Sequence, residues 1–96
     1  MSSIEASKIY KILYSKDSLK DAKKLSAVKL SRKAKQLIDI LEINPFQNPP
    51  PYEKLVGNLD GLYSRRINIK HRLVYQVKEE AKIVRVLRMW SHYGEW

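Results

Sequence analysis

The stretch YSRRINIKHRLVYQVK, Tyr63 to Lys78, decides the fold. In its first half Tyr63, Arg65, Ile67 and Ile69 alternate with Ser64, Arg66, Asn68 and Lys70, and from Arg72 onward Leu73, Tyr75 and Val77 alternate with Arg72, Val74 and Gln76. A period of two sends successive side chains to opposite faces of a strand, so the pattern predicts two strands with one apolar and one basic face. Glu79-Glu80 marks a turn into a third strand, Lys82 to Trp90, which completes an antiparallel meander. A sheet with one apolar face needs a cover on that side.

The upstream half supplies it. Lys8 to Tyr14 (KIYKILY) is rich in β-branched and aromatic residues and predicts a first strand ending at Ser15-Lys-Asp. From Lys16, Leu19, Ala22 and Leu25 recur every third residue among lysines, the stripe of an amphipathic helix capped by Ser15. Leu30, Ala34, Leu37, Ile38 and Leu41 then mark a second helix after a capping Ser31, stopped by Asn44-Pro45. The prediction is an α+β fold of one domain, 1–96, with residues 1–7 frayed. A strand, two antiparallel helices and the meander form a single sheet that the helices cover on one face. The other face is left open for function. Between the halves, Gln47-Asn-Pro-Pro-Pro51 lacks backbone donors at three consecutive positions, which predicts an extended or polyproline-like loop delivering Tyr52-Glu53-Lys54 to a fixed place.

The charge narrows the choice of partner. Ninety-six residues carry 19 Lys+Arg against 10 Asp+Glu, a formal net charge of +9. Such a surplus points to an anionic partner, nucleic acid before an acidic protein or a membrane surface. Nine of the 13 lysines lie between Lys8 and Lys35, whereas five of the six arginines lie between Arg65 and Arg88. Lysine is a hydrated point charge and arginine a planar fork that grips two phosphate oxygens, so specific phosphate contacts are expected in the second half. Cysteine is absent, which removes disulfides, cysteine nucleophiles and most zinc sites, and suits a reducing compartment. No apolar run approaches the ~20 residues of a membrane helix. Met1 to Ser7 has neither the basic patch nor the apolar stretch of a signal peptide, so the expected location is the cytoplasm.

With two histidines and no facing pair of acids, metal catalysis fits poorly, and no phosphate-binding glycine loop is present, so neither metal nor cofactor is expected. RNA needs neither. Its 2′-hydroxyl attacks the adjacent phosphorus when a base removes the proton, a cation stabilises the added phosphate charge and an acid protonates the departing 5′-oxygen. Glu53, after the proline loop, is the carboxylate placed to act as base, against the alternative of a loop salt bridge. Arg72 falls on the polar parity of its strand and faces Arg66, as a phosphate contact or a cross-strand pair. His92, flanked by Trp90 and Tyr93, offers proton transfer and stacking surfaces, against the alternative of an aromatic cap on the core.

Asn44-Pro-Phe-Gln, Tyr52-Glu-Lys-Leu, Gly57-Asn-Leu-Asp-Gly, Tyr63-Ser-Arg-Arg-Ile, His71-Arg-Leu-Val-Tyr75 and His92-Tyr93 occur in the order in which the Txe/YoeB toxins of the RelE superfamily carry them. The chain strongly resembles that family from Asn44 to Tyr93, and the preceding strand and helix pair suit its layout. The resemblance implies a bacterial-type toxin of a type II toxin–antitoxin system that enters the ribosomal A site and cuts mRNA there by metal-independent transphosphorylation. It also implies a cognate acidic antitoxin of YefM/Phd type and the option of a homodimer. Carried over residue by residue, Glu53 resembles the family's general base, Arg72 its phosphate-stabilising arginine, His92 its general acid and Tyr93 its substrate-positioning aromatic. Arg65, Arg66, His71, Lys54 and Trp90 are the expected RNA contacts. Three segments depart from the family pattern: Gln47 to Tyr52, Val56-Gly57, and Met89-Trp90-Ser91 with the tail Gly94-Glu-Trp96. They bear on codon preference and rate. The competing reading is a basic RNA- or ribosome-binding module without catalysis.

Overall fold

The computed structural model describes residues 9–55 and 61–90. Its elements are β1 (Lys11–Tyr14), α1 (Lys16–Ala27), α2 (Ser31–Ile43), β2 (Glu53–Lys54), β3 (Leu62–Arg66), β4 (Arg72–Lys78) and β5 (Ile83–Arg88). The fold is α+β, with a five-stranded sheet in the order β1-β5-β4-β3-β2. β3, β4 and β5 form the expected antiparallel meander, whereas β1 joins β5 in parallel, Lys11 opposite Ile83 and Tyr14 opposite Val86. The helix pair carries the chain from β1 at one edge of the sheet to β2 at the other, and β5 reaches its place beside β1 only after the meander has run back across the sheet.

Ser15 starts α1 in the way its side chain suggests. Its Oγ accepts the Ser18 N–H at 3.0 Å and donates to the Leu87 carbonyl at 2.9 Å, so one residue caps the helix and ties it to the sheet. The buried face of α1 is not the Leu19-Ala22-Leu25 stripe. Ser18, Asp21 and Leu25 are buried, Ala22 is half-buried and Leu19 is 54% exposed. Asp21 turns the helix because it has partners inside: its carboxylate accepts from Arg88 Nε and from the Met89 backbone N–H, each at 2.9 Å. α2 buries Ala34, Leu37, Ile38 and Leu41 as their spacing predicts. Ser31 does not cap it; Leu30 holds the cap position and Ser31 is the first helical residue, because the chain leaves α1 through a tight reversal at Lys29.

Leu25, Ala34, Leu37, Ile38 and Leu41 pack on Leu73, Tyr75, Val84, Val86, Ile67 and Met89. This core seats the sheet against the helices, and strand alternation leaves Ser64, Val74, Arg66 and Arg72 on the other face. The strand patterns end earlier than alternation suggests. β3 stops at Arg66; Ile67 and Asn68 donate their N–H groups to the His71 carbonyl, and the Asn68 side chain accepts from Lys70 and His71, closing a turn. Ile69 is therefore 84% exposed rather than in the core. β1 is shorter than the Lys8–Tyr14 expectation because Ile9 and Tyr10 donate to the Glu42 carbonyl at the end of α2. The last strand runs Ile83–Arg88, inside the predicted Lys82–Trp90, since Lys82 adopts a φ of 55° in the preceding turn.

Candidate functional site

The proline loop ends in an element that the sequence patterns did not predict. Glu53 and Lys54 form a two-residue strand, Glu53 opposite Ser64 and Lys54 opposite Tyr63. Alternation then puts Glu53 on the face of Ser64, Arg66 and Arg72, and Lys54 on the face of Tyr63. A cavity of about 310 Å³ opens there, lined by Pro51, Tyr52, Glu53, Ser64, Arg66 and Arg72.

Its electrostatics follow from register. Arg66 lies directly opposite Arg72, a like-charge pair that opposes sheet pairing unless negative charge lies nearby. Glu53 supplies part of that charge: its Oε1 stands 3.4 Å from Arg72 Nη1. This is long for a charge-assisted bond, and the side chains are unequally exposed, 16% for Arg72 and 58% for Glu53. The carboxylate is thus loosely held beside Arg72, and Arg66 lines the same cavity. Ser64 lies at the floor, fully buried, and its Oγ has no hydrogen-bond partner among the described residues.

The expected RNA contacts divide. Arg66 is exposed and lines the cavity with Arg72 and Glu53. Lys54 is exposed but belongs to the opposite face. Arg65 is 1% exposed, and its guanidinium donates to the carbonyls of Pro50, Pro45 and Gln47 at 2.6, 2.9 and 2.9 Å. Its position on the Tyr63-Tyr75 face carries it into the aromatic cluster instead of to solvent, which corrects its assignment as an RNA contact. His71 is also buried, its ring stacked on Trp90 at a centroid distance of 4.0 Å, with Lys24 Nζ 5.8 Å from the Trp90 ring. His71 therefore serves as the base of a stack whose half-buried upper layer is Trp90. His92 and Tyr93 lie outside the described residues, as do Val56-Gly57, the 94–96 tail and residues 1–7.

Ser64, Pro51 and Tyr52 line the cavity without having been singled out from the sequence. For Ser64 a signal existed, since it shares strand parity with Arg66. Among the described residues no three His, Cys, Asp or Glu side chains come together as a metal site, and no described helix is long and apolar enough to cross a membrane.

A helix pair backing one face of a mixed five-stranded sheet is a fold shared with the RelE chain of the archaeal RelE–RelB complex from Pyrococcus horikoshii, at a TM-score of 0.71 and 24% identity over 86% of this chain and 94% of that one. A model of the YoeB-like toxin of bacterial type II toxin–antitoxin systems matches residues 14–93. The chain is 35% identical over 65 residues to the Toxin YoeB of Escherichia coli K12, covering 68% of this chain and 75% of that protein. The YoeB/ParE toxin from Agrobacterium tumefaciens superposes with a TM-score of 0.78 at 28% identity over 86% of this chain and 99% of that one. A YoeB–YefM complex from Staphylococcus aureus gives a TM-score of 0.72 at 32% identity, covering 88% and 98%; a YoeB dimer from the same organism gives 0.75 at 32%, covering 88% and 99%. The chain belongs to the YoeB-like toxin family of type II toxin–antitoxin systems.

Proposed function

We propose that this toxin is a ribosome-dependent mRNA endoribonuclease that cuts by metal-independent transphosphorylation. The observation that carries the reading is the meeting of Glu53, Arg66 and Arg72 at one cavity on the uncovered face. Glu53, exposed and loosely paired, accepts the proton of a substrate 2′-hydroxyl. The freed oxygen attacks phosphorus to form a 2′,3′-cyclic phosphate, and the bond to the 5′-oxygen breaks. Arg72 and Arg66 hold the non-bridging oxygens as their charge grows, a task suited to pre-placed guanidinium groups in a partly desolvated cleft. By resemblance, His92 protonates the leaving 5′-oxygen and Tyr93 orients the substrate; Trp90 on His71 is the nearest described stacking surface to them in the chain.

The partner reading follows from charge and kinship. With +9 on 96 residues, an acidic antitoxin that covers the cleft neutralises the toxin and blocks substrate together. The Staphylococcus aureus relative is seen with YefM and as a dimer. We extend both modes of assembly to this chain, with the cytoplasm as its place of action.

The test is primer extension on translating ribosomes with wild type, Glu53→Gln and Arg72→Ala, checking each fold by circular dichroism. Loss of the base is expected to lower the cleavage rate by about 10²–10⁴-fold, and loss of the phosphate cation by about 10²–10³-fold. Wild-type rates in both folded variants would refute the site. No cleavage by wild type, with ribosome binding intact, would favour the non-catalytic binding module.

A further inference from the structure

Three backbone carbonyls of one loop converge on one guanidinium. Arg65 Nη1 donates to Pro50 O at 2.6 Å, and Nη2 donates to Pro45 O and Gln47 O, each at 2.9 Å. The same group lies 5.1 Å from the Tyr52 ring centroid and 6.0 Å from that of Tyr75, whose hydroxyl donates to Pro45 O at 3.0 Å. Phe46, Tyr52 and Tyr63 pack ring on ring around this point, with centroids 5.3 to 6.1 Å apart.

Physical need explains the arrangement. A segment with prolines at 45, 49, 50 and 51 has few N–H groups with which to tie itself down, so its carbonyls must find donors elsewhere. Arg65 provides them from β3, the strand that also pairs with Glu53 through its neighbour Ser64. The loop enters β2 through Pro51 and Tyr52, both of which line the cavity. One residue thus fixes the approach of the chain to Glu53 from behind, while Arg66 acts at the front.

We propose that Arg65 is a positioning residue: its hold on the 45–51 loop sets Glu53 beside Arg72, and lysine cannot replace it. An ammonium group is a point donor on a flexible stem and cannot reproduce a planar fork reaching three carbonyls. The catalytic part of this inference rests on Glu53 acting as the base; the hold on the loop does not.

Arg65→Lys tests it, with Arg65→Gln as a neutral second variant that avoids a buried ammonium ion. Amide hydrogen exchange is read on peptides covering residues 45–55 and α2. Both variants are expected to exchange about tenfold faster in 45–55 with α2 unchanged, the mark of local opening rather than global destabilisation. In single-turnover cleavage on ribosomes the rate is expected to fall by about 10- to 100-fold, the scale of a small misplacement of a reacting group, with half-saturation within about twofold. Unchanged exchange in 45–55, or exchange that rises equally throughout the chain, overturns the proposal. So does weakened ribosome binding with an unchanged single-turnover rate, which would return Arg65 to a direct RNA contact. If wild type does not cleave, the activity reading fails by itself, and faster exchange confined to 45–55 still supports the hold on the loop.

Discussion

Tyr75 carries its hydroxyl into the core, where it donates to the Pro45 carbonyl. Burial pushes its pKa up to about 12, with Arg65 opposing the shift. In the unfolded chain the phenol ionises near pH 10. Between about pH 10 and 12 the unfolded state therefore binds fewer protons than the native state, so the Tyr75 contribution to stability is full below pH 10 and lost as pH rises through 12. Urea melts at pH 8 and pH 11 are expected to show this loss, and Tyr75→Phe to reduce it while costing about 1–2 kcal/mol at pH 8 for the missing buried hydrogen bond. Equal alkaline losses in both proteins would remove Tyr75 as the cause. Arg65 and Arg66 show the same dependence on place: adjacent in sequence and identical in chemistry, one is enclosed by rings and carbonyls while the other faces the cleft. Strand parity predicts the split, yet parity alone did not reveal that the apolar face had built carbonyl acceptors for a cation.

At the scale of elements, the reversal between α1 and α2 is closed by Leu30 N–H to Leu25 O at 2.8 Å and Lys29 N–H to Ser26 O at 3.1 Å, with Lys29 at φ 64°. These are the paired bonds of a Schellman cap, whose left-handed position favours glycine. Lys29→Gly is expected to raise stability by about 0.5–1 kcal/mol, seen as a higher melting temperature; a lower one would show that the lysine makes a compensating contact. Within α1, Asp21 fastens the helix to the sheet: its carboxylate takes Arg88 Nε, Arg88 Nη2 and the Met89 N–H at 2.9, 3.3 and 2.9 Å. This clamp fastens the end of β5 to α1 and raises the Arg88 pKa, chiefly through the hydrogen bonds to Asp21. Asp21→Ala removes three acceptor contacts and leaves a partly buried guanidinium unmatched, so a loss of about 3 kcal/mol is expected in chemical denaturation. A loss within about 0.5 kcal/mol, ordinary for a surface site, would contradict the clamp. Helical spacing does not single out Asp21. Its partners lie 67 and 68 residues away, beyond the reach of helical periodicity.

Over the whole molecule the nine surplus charges separate into two populations. The helices expose lysines on surfaces away from the core, while the cleft concentrates Arg66 and Arg72. If both populations meet phosphates, ribosome affinity is expected to fall about 100-fold between 50 and 200 mM salt, the loss that four contacts give. Arg66→Ala should flatten that slope by about one contact, measurable by filter binding across a salt series. A slope near zero would exclude an electrostatic footing for the interaction. The sequence by itself determined the α+β class, the two helices, the meander and the identity of the acid and arginines in the cleft, because period 2, period 3.6 and a run of prolines are local constraints that each segment carries within itself. Tertiary structure alone decided the parallel seat of β1 beside β5, the small strand that turns Glu53 toward Arg72, the inward face of α1 and the burial of Arg65 and His71. Each of these depends on a partner distant in the chain, and a side chain's exposure is settled only when the acceptors and rings that can receive it have been brought together.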